Sequence, residues 1–272
     1  MFIKINSENA EFQIIHALKN NRVKRKKAGE VFVEGIECIK QAIAANAEIT
    51  RIIIIKHDSL SNWGKDVIRQ HKDAEIIEMG EKLFAELCDK DEPSEMLITA
   101  RIKPVILKYV QTDNPFFVVF DRPADRGNLG SLIRSANAFN ADAVLIAGHG
   151  VDVYDPKVIR ASLGSIFFTK IIAVESIDEL TDFIAKQKKK NKMAIMGTDS
   201  DGSVSAADLN IRKPVMLIIG NEAKGMSVKL KELCDTIVKI PMSGNVNSLN
   251  VSCAASIMMW EVYKNSTGTA AK

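Results

Sequence analysis

Short, strongly apolar runs separated by amphipathic stretches dominate the second half of the chain. The runs occupy residues 116–120, 143–147, 193–196 and 215–219, with a weaker one at 237–240. Uninterrupted apolar runs of this length are typical of strands in the middle of a parallel sheet, because both faces of such strands are buried. Helical patterns separate most of them, at 129–139, 177–189, 228–234 and 252–263. The alternation predicts βαβ units whose polar loops follow the carboxyl ends of the strands, where open α/β sheets bind ligands.

The first half of the chain alternates the same two patterns in shorter pieces. Helical stretches at 10–18 and 36–45 flank an apolar run at 31–33. Residues 103–115 then shift to polar and turn-forming side chains before the strong run that starts at 116. We therefore predict an α/β protein with a smaller α/β domain at 1–102, a linker at 103–115 and a larger domain with a mostly parallel sheet at 116–272.

Composition and charge exclude several classes of protein. The chain has 272 residues, 46% apolar and 26% charged, which excludes disorder and collagen-like repeats. Its net charge is only +3, so a polyanionic partner must be contacted through local patches. The four cysteines are scattered and none lies near a histidine at metal-ligand spacing, so we expect reduced thiols and no metal. Because no apolar run is long enough to span a membrane and the opening residues lack a leader pattern, the sequence predicts a cytoplasmic protein.

Two of the predicted strand-end loops combine glycine with side chains that form hydrogen bonds. The loop at 121–134 contains Asn128 and Arg134, six residues apart, and the loop at 218–227 contains Gly220 and Glu222. Each has a simpler interpretation. Asn128 is a suitable helix N-cap and Arg134 a solvated helix charge, while Glu222 suits the amino end of a helix. The functional alternative is a pair of loops at one cleft, with Gly220 allowing close approach of a ligand to the backbone.

The third loop, at 240–252, is unusually rich in asparagine and serine and leads into an apolar helix. Ser248 or Asn250 is a good cap for that helix, so capping explains part of the pattern. The loop nevertheless holds three asparagines at 245, 247 and 250, which is more than one cap requires. It is therefore a third candidate for ligand binding.

Together the three loops resemble the SpoU family of S-adenosylmethionine-dependent RNA ribose methyltransferases, within the SPOUT superfamily. The family's first motif is matched by residues 128–130 with Arg134, its second by 220–222 with Gly225, and its third by 240–242 through Gly244 to 248–252. Order and spacing agree over roughly 113–264. The first domain is similar to the family's substrate-binding domain, which has the fold of ribosomal protein L30e. The resemblance implies a catalytic domain with a deep trefoil knot, here formed by about 193–260, and a homodimer whose active site is completed across the subunit interface.

The resemblance also implies roles for individual residues. The polar positions assigned to catalysis are Arg134, Asn128, Glu222, Ser248 and Asn250. Positions assigned to S-adenosylmethionine, largely through main-chain groups, are Thr198, Gly220, Asn221, Ile240, Met242 and Leu249. The family proposal makes the arginine a base. A guanidinium is a poor base, so Arg134 is better suited to orienting the ribose hydroxyl and stabilising the developing alkoxide.

A basic cluster in the first domain is the candidate RNA contact. Six Lys or Arg occur in the nine residues 19–27, and we assign RNA binding to five of them: Arg22, Lys24, Arg25, Lys26 and Lys27. A solvated loop with no RNA contact is the alternative. A second run of lysines at 186–192 is adequately explained by the favourable placement of cations at a helix carboxyl end.

Three functions are compatible with these observations. The first is an RNA 2′-O-methyltransferase, with ribosomal RNA of the large-subunit 23S type favoured over transfer RNA because a separate L30e-like domain is present. The second is a non-catalytic assembly factor that binds structured RNA, against which the intact motif residues argue. The third is a dinucleotide-dependent oxidoreductase. It fits the α/β pattern, but this sequence lacks the glycine fingerprint and the ribose-binding acid of that class.

Overall fold

The computed structural model describes residues 2–89, 93–110, 112–174 and 176–267, and the chain forms two compact units. The last residues of the predicted second domain, 268–272, and position 111 of the predicted linker lie outside the described residues. Unit 1 comprises Met1–Lys103 with Asp152–Phe167, and unit 2 comprises Pro104–Val151 with Phe168–Lys272. Each unit is an α/β structure around its own sheet.

Unit 1 contains a five-stranded mixed sheet in the order β1-β4-β3-β5-β2. The strands are β1 (Phe2–Ile5), β2 (Glu30–Glu34), β3 (Ile49–Ile54), β4 (Glu75–Met79) and β5 (Met96–Arg101), and the helices are α1 (Ala10–Asn20), α2 (Arg22–Ala28), α3 (Ile36–Ala44), α4 (Asn62–Gln70) and α5 (Glu81–Glu86). Strand β5 runs antiparallel to both of its neighbours, and the other pairs are parallel. The core is built on phenylalanines 12, 32 and 84, all of them buried.

The basic helix α2 is defined by caps at both ends. The side chain of Asn21 accepts a hydrogen bond from Lys24 N at the start of the helix. Gly29 follows the helix with φ of 65°, in the left-handed region that glycine adopts without strain. The alternative interpretation of the basic cluster as a solvated loop is therefore wrong in its secondary structure, because residues 22–28 form a short helix.

Unit 2 contains a seven-stranded sheet in the order β10-β12-β9-β11-β6-β7-β8, with every pair parallel. In chain order the elements of the second half are β6 (Phe116–Asp121), α6 (Arg126–Ala138), β7 (Ala143–Ala147), α7 (Pro156–Ala161), β8 (Ile171–Val174), α8 (Ile177–Asn191), β9 (Ala194–Thr198), β10 (Val204–Ser205), β11 (Val215–Ile219), α9 (Val228–Leu233), β12 (Thr236–Lys239) and α10 (Val251–Thr267). Strands β6, β7 and β11 are buried along their whole length, as their apolar runs predict. The predicted fold class, α/β with a large parallel sheet and a smaller α/β part, is confirmed.

The segment 152–167, which includes α7, belongs to unit 1 although its neighbours in sequence belong to unit 2. Within unit 1, Arg160 donates to the buried carboxylate of Glu34 at 2.8 Å. Cys38 Sγ donates to the carbonyl of Ile159, and a Cβ on Gly164 would lie 2.6 Å from Gln41 Cβ. The prediction placed this segment in the second domain by its position in the chain, and the structure differs because these packing contacts are non-local.

The predicted linker also differs from a simple connector. From Pro104 onward it groups with unit 2, and Leu107 is 2% exposed in the core of that unit. No helix in the described part of the chain is long and apolar enough to cross a membrane.

Candidate active site

The loop after β11 folds back on itself at Gly220. A Cβ at this position would lie 2.5 Å from the backbone nitrogen of Met226, so only glycine fits. Asn221 and Gly225 exchange two main-chain hydrogen bonds, each of 3.0 Å, and Gly225 has φ of 64°. Gly220, predicted to allow close approach of a ligand to the backbone, therefore closes a tight turn with Gly225 at the carboxyl end of a central strand.

Glu222, in this turn, binds the loop that follows β6. Its carboxylate accepts hydrogen bonds from the main-chain nitrogens of Ala124 at 3.1 Å and Asp125 at 3.2 Å. It also accepts a longer bond, of 3.4 Å, from Nδ2 of Asn128. Glu222 is therefore not a helix cap, as the simpler interpretation suggested, but a link between the first and second loops.

Asn128 is joined to the third loop as well. Nδ2 of Asn250 donates to Oδ1 of Asn128 at 2.8 Å, across 122 positions of sequence. The N-cap of α6 is Asp125, whose side chain accepts from Asn128 N, so the capping role considered for Asn128 is wrong. The side chains of Glu222, Asn128 and Asn250 form a continuous hydrogen-bonded chain through all three loops.

Asn250 also caps α10. Its Oδ1 accepts from Ser252 N at 2.9 Å, from Ser252 Oγ at 2.7 Å and from Cys253 N at 3.3 Å. The capping interpretation and the functional one are thus both satisfied by one side chain. The amide oxygen starts the helix, and the amide nitrogen holds Asn128.

A cavity of about 270 Å³ lies against these loops, and we call it the loop cavity. Its lining includes all six residues assigned to the cofactor: Thr198, Gly220, Asn221, Ile240, Met242 and Leu249. Glu222 and Ser248, assigned to catalysis, line it too. The wall is mixed, with main-chain groups of the turn, apolar side chains such as Leu249, and the hydroxyl of Thr198, which donates to Ile218 O at 3.3 Å.

Two predicted catalytic residues make no such contacts. Arg134 lies on α6 and is exposed, and its guanidinium has no hydrogen bond or ion pair with any described residue. Ser248 is exposed and, within the described part of the chain, its hydroxyl has no hydrogen-bond partner. Thus the structure joins Asn128, Glu222 and Asn250 directly and leaves Arg134 and Ser248 open to solvent.

Asp121 and Arg122 precede the first motif and were not predicted as site residues. The buried carboxylate of Asp121 accepts two hydrogen bonds from the Arg122 guanidinium, both at 2.8 Å, and one from Ser227 N at 2.7 Å. The bonds to Asp121 raise the pKa of Arg122 above its usual value. A charged pair at the end of a fully apolar strand was a signal in the sequence for this anchor between the first two loops.

The basic cluster is split by burial. Arg22, Lys24, Lys26 and Lys27 are exposed on α2, whereas Arg25 is 3% exposed. Within unit 1, Nη2 of Arg25 lies 2.6 Å from the carboxylate of Asp152, and Nη1 donates to two carbonyls of α1. The assignment of Arg25 to an exposed RNA-binding surface is therefore wrong, because its guanidinium is buried and already paired within unit 1.

In the described residues there is no cluster of three His, Cys, Asp or Glu side chains able to hold a metal ion.

Comparison with protein-family models matches both units. Residues 115–260 match the SpoU rRNA methylase family, which is more than half of the chain. Residues 9–99 match the SpoU L30e-like domain.

Individual relatives agree with these matches. The chain is 36% identical over 264 residues to a 23S rRNA (uridine(2479)-2′-O)-methyltransferase of Streptomyces viridochromogenes, covering 96% of this chain and 92% of the relative. A crystal structure of the SpoU methyltransferase AviRb from Streptomyces viridochromogenes, in complex with the cofactor AdoMet, superposes with a TM-score of 0.88 at 36% identity, covering 94% and 98% of the two chains. A second solved structure, described as an RNA 2′-O ribose methyltransferase, has a TM-score of 0.80 at 28% identity and covers 97% and 99%.

Proposed function

The chain belongs to the SpoU family of RNA methyltransferases, and from this membership we propose that it transfers a methyl group from S-adenosylmethionine to a ribose 2′-hydroxyl of 23S-type ribosomal RNA. The observation that carries the proposal is the hydrogen-bonded chain of Glu222, Asn128 and Asn250 beside the loop cavity. The relative with the named 23S rRNA activity covers 96% of this chain, including unit 1. A ribosomal substrate implies a cytoplasmic enzyme.

The loop cavity fits the proposed cofactor. S-adenosylmethionine supplies a methyl group activated by a sulfonium, and it needs polar main-chain partners for its adenine and ribose together with an apolar wall. The turn at Gly220 presents main-chain groups at the lining, and Ile240 and Leu249 supply apolar surface. Thr198 and Asn221 offer hydroxyl and amide groups at the same lining. We assign cofactor binding to these residues and to Met242.

Arg134 is the residue we assign to the reacting hydroxyl. Its guanidinium is exposed and unpaired among the described residues, so its donors are available to a substrate oxygen. Because a guanidinium is a poor base, Arg134 orients the hydroxyl and stabilises the negative charge that develops on the oxygen. Ser248, at the lining of the loop cavity, is the second available donor, and Asn128, Glu222 and Asn250 hold the loops in position.

A homodimer and a trefoil knot are the further parts of this proposal. Four apolar side chains of the third loop and α10 are 38–62% exposed: Val246, Leu249, Ile257 and Trp260. A contact with another chain would cover these side chains, and the family resemblance implies that this chain is a second copy. Light scattering on the purified protein at several concentrations tests the homodimer, and a monomer at every concentration would contradict it.

Two other functions compete with ribosomal RNA methylation. A transfer RNA substrate is compatible with unit 2, but the L30e-like domain at 9–99 and the relative that matches both units favour ribosomal RNA. A non-catalytic RNA-binding role would not require Asn128 and Asn250 to be held in one hydrogen-bonded chain. The oxidoreductase is excluded by membership of the family.

The test is a map of 2′-O-methyl sites in total RNA from cells with and without the protein. We expect one differential site in 23S rRNA, restored by the wild-type gene. Arg134→Ala should reduce turnover at least tenfold, or about 1.4 kcal/mol of transition-state stabilisation, while S-adenosylmethionine still binds. Lys189→Ala removes another exposed helix cation of unit 2 and serves as the control. Absence of any differential site would overturn the proposed function, and a site in transfer RNA would overturn the substrate assignment.

A further inference from the structure

An open bowl of about 600 Å³ lies beside the site, formed by the loops that follow β6, β7 and β11. Its nine lining residues include three that are basic, Arg122, His149 and Lys224, and none that is acidic. His149 and Lys224 are exposed. A concave lining with several basic side chains and no carboxylate is suited to an anion.

Arg122 is held rigidly in this bowl. Its backbone has φ of 48°, which is unfavourable for a residue with a side chain, and its main-chain carbonyl accepts from Nδ2 of Asn221 at 2.7 Å. Nε and Nη2 are bound to Asp121, and Nη2 also donates to Gly225 O at 3.3 Å. Nη1 has no hydrogen bond to any described residue. The fixed guanidinium therefore retains one amino group for an external acceptor.

The wall of the bowl is made of closely packed main chain. A Cβ on Gly150 would lie 2.9 Å from the carbonyl oxygen of Pro123, and Val151 N donates to that same oxygen at 2.9 Å. On the β11 side of the bowl, Lys224 is fixed to the turn that begins at Gly220, because its main-chain nitrogen donates to Oδ1 of Asn221 at 3.0 Å. Thus the basic side chains project from loops whose backbones are already hydrogen-bonded, and binding would not have to order these loops.

The bowl and the loop cavity share a wall. Asn221 lines both of them, and Glu222, at the lining of the loop cavity, accepts from the main chain of Ala124 in the bowl. The shared wall brings the bowl next to the loop cavity, where the proposed function places the methylated ribose. We propose that the bowl binds a phosphodiester of the RNA strand adjacent to the methylated ribose, through Lys224, His149 and Nη1 of Arg122. This inference rests on the proposed function, because it names a contact of the same substrate.

The experiment measures the binding of unmodified 23S rRNA, transcribed in vitro, to the full-length protein over a series of KCl concentrations. Lys224→Gln removes the charge but keeps a polar side chain and the main-chain bond to Asn221. We expect about tenfold weaker binding and a salt-dependence slope smaller by about one, because one phosphate contact is lost. His149→Asn should weaken binding by a smaller factor. Arg122 is not varied, because its loss would also release Asp121.

Lys170→Gln is the matched control, since Lys170 is an exposed lysine at the amino end of β8, the edge of the sheet opposite to the loops. It should leave both affinity and slope at the wild-type values. Calorimetric binding of S-adenosylmethionine should be unchanged in all three variants. Wild-type affinity and slope in Lys224→Gln would overturn the bowl assignment, as would an equal loss in Lys170→Gln.

The two proposals fail differently. If the wild-type protein binds 23S rRNA but methylates none, the proposed function fails while the salt slopes still decide on the bowl. If methylation is normal and Lys224→Gln behaves as wild type, only the bowl assignment fails. If the wild type binds no RNA, both fail.

Discussion

Replacing Asn250 separates the two roles that the structure gives this side chain. Oδ1 caps α10 through Ser252 N and Cys253 N, and Nδ2 holds Oδ1 of Asn128 at 2.8 Å. Serine is as good a cap as asparagine but has no amide to reach Asn128, whereas alanine has neither group. Asn250→Ser is therefore expected to affect activity alone, and Asn250→Ala both activity and stability.

The expected magnitudes follow from these contacts. Loss of an N-cap costs about 1 kcal/mol, with a range of about 0.5–2 kcal/mol, and in a domain of about 150–250 residues this lowers the melting temperature by about 2–4 °C. Asn250→Ala should show this decrease, and Asn250→Ser should remain within about 1 °C of the wild type. Release of Asn128 from the third loop should reduce turnover at least tenfold in both variants, about 1.4 kcal/mol or more.

Two assays check the prediction: thermal unfolding by calorimetry, and methyl transfer to 23S rRNA at saturating S-adenosylmethionine. Asn247→Ser, in the same exposed loop, is the control and should match the wild type in both. Full activity in Asn250→Ser would refute the positioning role of the amide. A wild-type melting temperature in Asn250→Ala would refute the capping role.

Three further predictions concern other parts of the chain. Arg25→Ala should lower the free energy of unfolding by about 3–5 kcal/mol, because it leaves a carboxylate without its buried partner, and denaturant titration should show this with Lys24→Ala within about 0.5 kcal/mol of the wild type. The double variant Lys24→Gln, Lys27→Gln should weaken 23S rRNA binding and leave S-adenosylmethionine binding unchanged, so equal RNA affinity would contradict a role of α2. Burial raises the pKa of Cys234 to about 11, so its thiolate fraction is very small at pH 8 and rises only as the pH approaches 11. Cys253 is exposed. Mass spectrometry after brief alkylation at pH 8 should therefore find Cys253 modified before Cys234.

The buried strands of unit 2 were the most predictable part of the fold. The predicted runs at 143–147 and 215–219 coincide with β7 and β11, because strands covered on both faces must be apolar throughout. Strand β8 was missed, since the run at 171–174 is short and alanine 173 is exposed. The two-residue β10 carries no pattern that sequence periodicity detects.

The site was predictable as a set of loops and residue types, not as a set of contacts. Glycine at 220 is required by a local clash, so the residue itself signals the turn. The pairing of Asn128 with Asn250 has no local signature, since any exposed loop asparagine looks alike in sequence. Arg25 shows the same limit, because its neighbours on α2 are also basic and burial depends on Asp152, 127 positions away.

By itself, the amino-acid sequence determined the α/β class, the buried parallel strands and the three motif loops that carry the family resemblance, because each depends on residues close together in the chain. Only the tertiary structure decided that Asn250 caps a helix while holding Asn128, that Arg25 is internal, that 152–167 packs with unit 1, and that Arg122, His149 and Lys224 share one bowl. These contacts form between segments far apart in sequence, and their energy comes from burial and hydrogen-bond geometry that exist only once the chain has folded.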